Sequence, residues 1–354
     1  MKGLGRAGAV TLIAIMLTCI GLYWYLRAEP NYPRPTAIGR MPHLRHVFVI
    51  MMENHSLDAL TWRDAPYIRE LIKHDGYDYS YFGVTHVSLP NYVALVSGST
   101  QGTYSDNPNQ RFFTPTLMAQ LTRHHISWQG VMQSIPQAGY RGNWYPQPPG
   151  KNPVLMPINA LYAKKHDPFM LFPAIARADG SHIVPLRRLT AELQSGHVPR
   201  LVWITPNLCS DMHGQPVGSR NCPSNHSQLL IRRGNRFLRK LVPEITRSRA
   251  FSGHSVIFIT WDEAQMPRSF FNLGAWKRWL MPGPQSPTFL GVPIGGGSVP
   301  LIAIIPGKQQ PPHVHLWADH YSLLKTIEAG FGLAFLGQAQ SSRVVPLSVL
   351  VQAR

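Results

Sequence analysis

His46-Val47-Phe48-Val49-Ile50-Met51-Met52 runs without interruption into Glu53-Asn54. An unbroken apolar run of this length reads as a strand buried on both faces, as in a parallel sheet. The pattern recurs along the chain. Leu201–Thr205 (LVWIT) leads into Asn207–His213 (NLCSDMH), and Ser255–Trp261 (SVIFITW) leads into Asp262-Glu263. The run Val299–Pro306 precedes Asp319-His320, which opens an amphipathic stretch, Tyr321–Phe331. Between these runs, helical patterns cover Ala65–His74, Thr116–His125 and His226 to about Arg247, with a further strand at Ser127–Met132. Such alternation predicts an α/β fold with a mostly parallel sheet. Ligands bind beyond the carboxyl ends of strands in such sheets. Oxygen and nitrogen ligands gathered there outline one metal-assisted phosphate site.

A hydroxyl joins them in Thr85-His86-Val87-Ser88-Leu89-Pro90-Asn91-Tyr92. Pro90 suits the first turn of a helix that Tyr92–Val96 continues. Ser88 and the neighbouring N–H groups then sit at a positive helix end, a ready anion site. Asn91 can donate its amide hydrogens to a phosphate oxygen. His86 can contact the phosphate or serve as an acid. The plain alternative makes Ser88 an N-cap and the acidic pairs solvated turns. Glu53-Asn54 and Asp262-Glu263 offer oxygen ligands for a divalent cation, while Asp211, His213 and His320 extend the set. Imidazole suits zinc and other transition metals better than magnesium or calcium.

Among 354 residues, 44% are hydrophobic, ample for a core. The charged share of 14% is low, yet the net charge is +17. A solvated basic surface accounts for that excess, and a basic field also favours anionic substrates or membrane surfaces. No nucleic-acid-binding motif accompanies it, so nucleic acid is not an expected partner. Lys2 and Arg6 precede an apolar run, Ala7 to Leu26, closed by Tyr23-Trp24-Tyr25 and Arg27. This predicts one N-terminal transmembrane helix within residues 1–28, with the bulk of the chain on the extracytoplasmic side. A cleaved signal, giving a secreted protein, is the alternative. Residues 29–42 form a Pro-rich linker, and 43–354 the remaining domain. In an oxidising compartment, Cys209 and Cys222 are expected to form a disulfide bracing the Asp211–His213 loop, with free buried thiols the alternative. Gln265–Ser298, rich in Gly, Pro and aromatics, is expected to be a packed excursion, a lid or a membrane-touching flap.

His46–Asp58, Thr85–Ser99, Ile204–Gly214, Val256–Ala264 and Ala318–Leu333 resemble the motifs of the bacterial phosphoesterase family that contains phospholipases C and acid phosphatases. That family lies in the alkaline-phosphatase-like superfamily. The blocks run in family order and are most similar to compact secreted acid phosphatases. The resemblance implies a three-layer alkaline-phosphatase-like sandwich and one or more divalent metal ions. It makes Ser88 the nucleophile, with Asn91 holding a phosphoryl oxygen. It makes Glu53, Asn54, Asp211, His213, Asp262, Glu263 and His320 metal ligands. The expected reaction is hydrolysis of phosphomonoesters, on phosphorylated small molecules or lipids, on the periplasmic side of a bacterial inner membrane. A phospholipase C or other phosphodiesterase is the nearer alternative, and a non-catalytic anion- or lipid-binding domain the farther one. Ala264-Gln265 departs from the Asp or Gly that often follows the acidic pair, and the segment after it is enlarged.

Overall fold

A computed structural model describes residues 40–178, 180–267, 271–290, 292–307 and 312–352. The expected anchor at 1–28 and nearly all of the 29–42 linker lie outside the described residues. No helix among those described is long and apolar enough to cross a membrane.

The main sheet has eight strands. They are β1 (Val47–Met52), β2 (Gly76–Asp78), β3 (Trp128–Met132), β4 (Ile183–Pro185), β5 (Leu201–Thr205), β6 (Val256–Trp261), β7 (Leu301–Ile304) and β8 (His313–Val314). Their spatial order is β8-β2-β7-β6-β1-β5-β3-β4. Only β7 pairs antiparallel, with β6 and β2. The apolar runs therefore became the sheet's interior. Every residue of β1 has 0% exposure, and successive side chains point to opposite faces, so both faces are covered. The short strands β2, β4 and β8 carry too few residues to show a period.

Helices α1 (Pro66–His74), α2 (Ser88–Ser97), α3 (Leu117–Arg123), α4 (Leu186–Ser195), α5 (Ser227–Thr246), α6 (Leu273–Trp279) and α7 (His320–Phe331) fill the connections. Buried Leu230, Leu238 and Leu241 lie on one stripe of α5, and Asn235 on that helix accepts the Ile68 N–H of α1 at 3.1 Å. The helix α2 begins at Ser88 itself, two residues before Pro90, and all of its residues are buried. The Gln265–Ser298 excursion contains α6 and a small hairpin, Thr288–Phe289 paired with Val292–Pro293. Its base is pinned at Gly83, where a Cβ would lie 2.6 Å from the Asp262 carbonyl oxygen.

Register decides where the acids meet. In the parallel pair β1–β6, Met52 stands opposite Trp261, so Glu53 and Asp262 leave the sheet side by side. On the other flank the Glu53 N–H donates to the Asp211 carbonyl at 2.9 Å. Three neighbouring strands thus deliver three carboxylates to one end of the sheet.

Candidate active site

Glu53, Asp211 and Asp262 are fully buried, and Glu263 is 6% exposed. Transferring several carboxylates from water is costly unless positive charge compensates them. Burial, with Asp262 and Asp211 beside it, holds Glu53 well above the usual carboxylate range. Burial likewise raises Asp211, and burial with Glu263 pushes Asp262 up to about 8. Lys165, itself buried, supplies one ammonium. It pairs with Asp106 at 2.5 Å and lies 3.1 Å from His213 Nε2.

The hydroxyl of Ser88 caps nothing. It lies 3.1 Å from Glu53 Oε2 and 3.3 Å from Glu263 Oε1. One hydroxyl proton can serve only one of these acceptors at a time. Asp106 takes the Leu89 N–H at 3.0 Å, so a carboxylate already stands at part of the helix start. Glu263 is held from its far side by His86 Nδ1, and His86 Nε2 meets the Trp279 carbonyl at 2.8 Å. The His86 ring also stacks on Trp279, with centroids 4.0 Å apart. His86, expected to contact phosphate or serve as an acid, has both ring nitrogens engaged and instead ties the acidic centre to α6 and its excursion.

Three ligand atoms, from Glu53, His166 and His213, lie within 4.8 Å of one another. His166 was absent from the sequence-derived set. Its Nε2 is 3.3 Å from Glu53 Oε1 and its Nδ1 is 3.3 Å from Asp211 Oδ2. Burial lowers its basicity well below normal, which leaves a neutral imidazole with a lone pair. His213 Nδ1 meets the Gly214 carbonyl at 2.8 Å, which assigns its proton there and its lone pair to Nε2. His166 Nε2, Asp211 Oδ2 and Asp262 Oδ2 are buried without a hydrogen-bond partner. Buried polar atoms are rarely left so. Orphaned carboxylate oxygens beside neutral imidazoles are the donor set of a divalent cation with nitrogen ligands, and the residues fit one.

Several expectations change. His320 was expected to ligate metal, but Nδ1 meets Tyr81 Oη at 3.0 Å and Nε2 meets the Asp262 carbonyl at 2.7 Å. With both nitrogens engaged, it positions the strand end behind Asp262. Asp319 beside it caps α7, accepting the Tyr321 and Ser322 N–H groups. Asn91 was expected to grip phosphate, yet its Oδ1 accepts the Val84 and Thr85 N–H groups at 2.8 and 3.1 Å. Its Nδ2 donates to the Thr85 and Val87 carbonyls at 2.7 and 3.0 Å. Both amide hydrogens are used, and Asn91 braces the loop that carries Ser88. Asn54 sits at φ 53°, a conformation asparagine tolerates. Its Nδ2 donates to Glu53 Oε2 at 2.9 Å and its N–H to Asp262 Oδ1 at 2.8 Å, so it orients two carboxylates.

Tyr92 was also missed. One turn beyond Ser88, its hydroxyl donates to Glu53 Oε1 at 2.5 Å while its ring stacks on His166, centroids 5.3 Å apart. The i, i+4 spacing from Ser88 was the available signal. For His166 no signal existed, since it lies on the short 3-10 turn Lys164–His166 away from any main-sheet strand end. Cys209 and Cys222 are disulfide-bonded, as expected, with Cα atoms 5.4 Å apart. The bond closes the loop carrying Asp211 and His213.

A phosphate-repressible acid phosphatase from Penicillium chrysogenum is 26% identical over 266 residues, covering 73% of this chain and 52% of the relative. The chain thus spans about half of that fungal protein's length. A phosphatidylinositol-3-phosphatase from Mycobacterium tuberculosis is 24% identical over 314 residues, covering 86% of this chain and 83% of the relative. The crystal structure of a protein in the alkaline phosphatase superfamily from Vibrio parahaemolyticus matches at TM-score 0.51 and 12% identity, over 91% of this chain and 78% of that one. That likeness identifies the fold as alkaline-phosphatase-like, with a mostly parallel central sheet. Residues 59–334 match the Phosphoesterase family, and the chain belongs to this family.

Proposed function

We propose that this chain hydrolyses phosphomonoesters through Ser88 with the help of a divalent cation. The observation that carries the reading is the Ser88 hydroxyl set between the Glu53 and Glu263 carboxylates, beside the Glu53–His166–His213 cluster. Glu53, His166 and His213 would hold the cation, with Asp211 and Asp262 alongside. Bound there, it would favour ionisation of the hydroxyl and neutralise charge on the phosphoryl oxygens. Ser88 gives its proton to a flanking carboxylate and forms an O–P bond as the ester O–P bond breaks. The leaving oxygen takes up a proton, and water then releases phosphate from the serine. Lys165 adds positive charge toward the transferring group, and Asn91 and Tyr92 hold the serine loop and Glu53 in place.

Lipid phosphomonoesters are a second reading, supported by the mouth of the site and by the M. tuberculosis relative's name. Thr85, His86, Tyr104, Trp279, Leu280 and Phe289 line a cavity of about 220 Å³. Around it Phe289 and Leu290 are 67% and 82% exposed, a concentration of apolar surface that suits an interface. A panel of an aryl phosphomonoester, an aryl phosphodiester and a phosphoinositide in vesicles, assayed with added divalent ions, tests both readings. The monoester should be cleaved at least about tenfold faster than the diester. Phe289→Ser with Leu290→Ser should depress vesicle turnover and spare the aryl monoester. Diester preference would overturn the first reading, and equal losses the second.

Action outside the cytoplasm, behind an N-terminal anchor, is likewise our proposal. Its support is the Ala7–Leu26 run and the Cys209–Cys222 bond, since structural disulfides persist in oxidising compartments. Full-length protein should sediment with membranes. Denatured, unreduced protein should show no alkylatable thiol at Cys209 or Cys222, and Cys222→Ser should destabilise by about 3 kcal/mol on chain-entropy reasoning. Free thiols at both positions would remove the support.

A further inference from the structure

Beside the candidate active site lies a second concavity, of about 480 Å³, whose walls carry Arg111, Arg141, Lys164 and Arg177 with Asn109 and Asn152. Among the described residues no acidic side chain lines it, and none of the four cations forms an ion pair. Two carboxylates lie nearby, and one of them, Asp167, acts on Lys164. Asp106 holds Lys165 and the Leu89 N–H, and Asp167 accepts from the Tyr162 hydroxyl at 2.9 Å. Two of the guanidinium groups are oriented by the helix Pro173–Ala178. Arg141 donates to the Ala176 carbonyl at 3.0 Å, and Arg177 to the Pro173 carbonyl at 3.4 Å. Burial lowers the Lys164 ammonium, Asp167 partly offsets this, and Arg111 beside it adds to the lowering. Converging cations that form no ion pair attract anions into a concavity, and guanidinium forks fit phosphate oxygens.

The two sites share a wall. Lys164 lines the basic pocket, while its neighbours Lys165 and His166 face the acidic cluster. The loop after α2 is shared as well, with Asp106 on Lys165 and Asn109–Arg111 on the pocket. We propose that this pocket is a second anion site, taking a phosphate group of a multiply phosphorylated substrate that the chemistry at Ser88 leaves uncleaved. The inference rests on the phosphoesterase reading for its word substrate, but the pocket's affinity for phosphate does not.

Inorganic tripolyphosphate titrated calorimetrically into the Ser88→Ala chain measures that affinity without turnover. Arg111→Ala with Arg177→Ala in the same background should weaken it by about tenfold or more, since two charge-assisted contacts are lost. In the chain with Ser88 intact, the same pair should leave aryl monophosphate turnover within about twofold while kcat/KM for a multiply phosphorylated substrate falls by about tenfold. Running that comparison with a soluble inositol bisphosphate and with vesicles carrying phosphatidylinositol 4-phosphate separates a free polyphosphate from a lipid headgroup. Unchanged tripolyphosphate binding in the double variant would overturn the pocket. Pocket-dependent binding in a chain that cleaves no phosphoester would instead retain the pocket and sink the phosphoesterase reading.

Discussion

Ser88→Ala is expected to lower turnover by at least about a thousandfold, because losing a nucleophile removes the step that all later steps require. The side chain is small and already sits at a helix start without capping it. Folding should therefore be unaffected, as thermal denaturation and far-UV circular dichroism would show. Loss of the hydroxyl also removes a donor from the Glu53 and Glu263 carboxylates, so cation affinity should persist. A domain that merely binds anions would behave otherwise, since its affinity for phosphate would not hinge on one hydroxyl. Trapping phosphorus on Ser88 during turnover, by quenching in acid and mapping the peptide, gives the direct check. Substantial turnover surviving in Ser88→Ala with cation bound would replace the serine step by direct attack of water.

The second large effect concerns the cation. His166→Ala should abolish detectable cation binding at micromolar concentration and reduce turnover by about a hundredfold or more, as loss of one of few ligands usually does. Chelation of the parent protein should reproduce the loss, and added divalent ions should reverse it only in the parent. The pH dependence has a definite sign. A cation needs Glu53 and Asp262 ionised, and without one burial raises Glu53 and holds Asp262 up at about 8. Protons therefore compete with the cation, and its affinity should fall as pH drops from 8 toward 5. Titrations by calorimetry at several pH values measure this directly. Affinity independent of pH, or full turnover in His166→Ala, would remove His166 and the raised carboxylates from the cation site.

Much of the site could be read because burial writes itself into composition. A strand buried on both faces tolerates only apolar residues, so Glu53 and Asp262 announce themselves as the first polar positions after β1 and β6. Asp211 and His213 follow β5 by a short loop, and Ser88 opens a helix. Roles were harder than positions. Asn91 and His320 have the chemistry for phosphate and metal, yet each spends every donor and lone pair on its neighbours. Tyr92 reads in the sequence only as a continuation of the helix after Ser88, and Asn54 reads as a ligand although its amide and N–H engage Glu53 and Asp262.

By itself the sequence determined the α/β alternation, the strand ends that carry the acids, the helix-start hydroxyl and the cysteine pair, because each depends on residues within a few positions of one another. Tertiary structure alone decided which atoms share a site. The parallel register sets Met52 beside Trp261 and so Glu53 beside Asp262. Chain folding brings His166, far from both in sequence, between Glu53 and Asp211. It also gathers Arg111, Arg141, Lys164 and Arg177 around one hollow. Such proximity arises from packing distant segments against a common sheet, and no local periodicity encodes it.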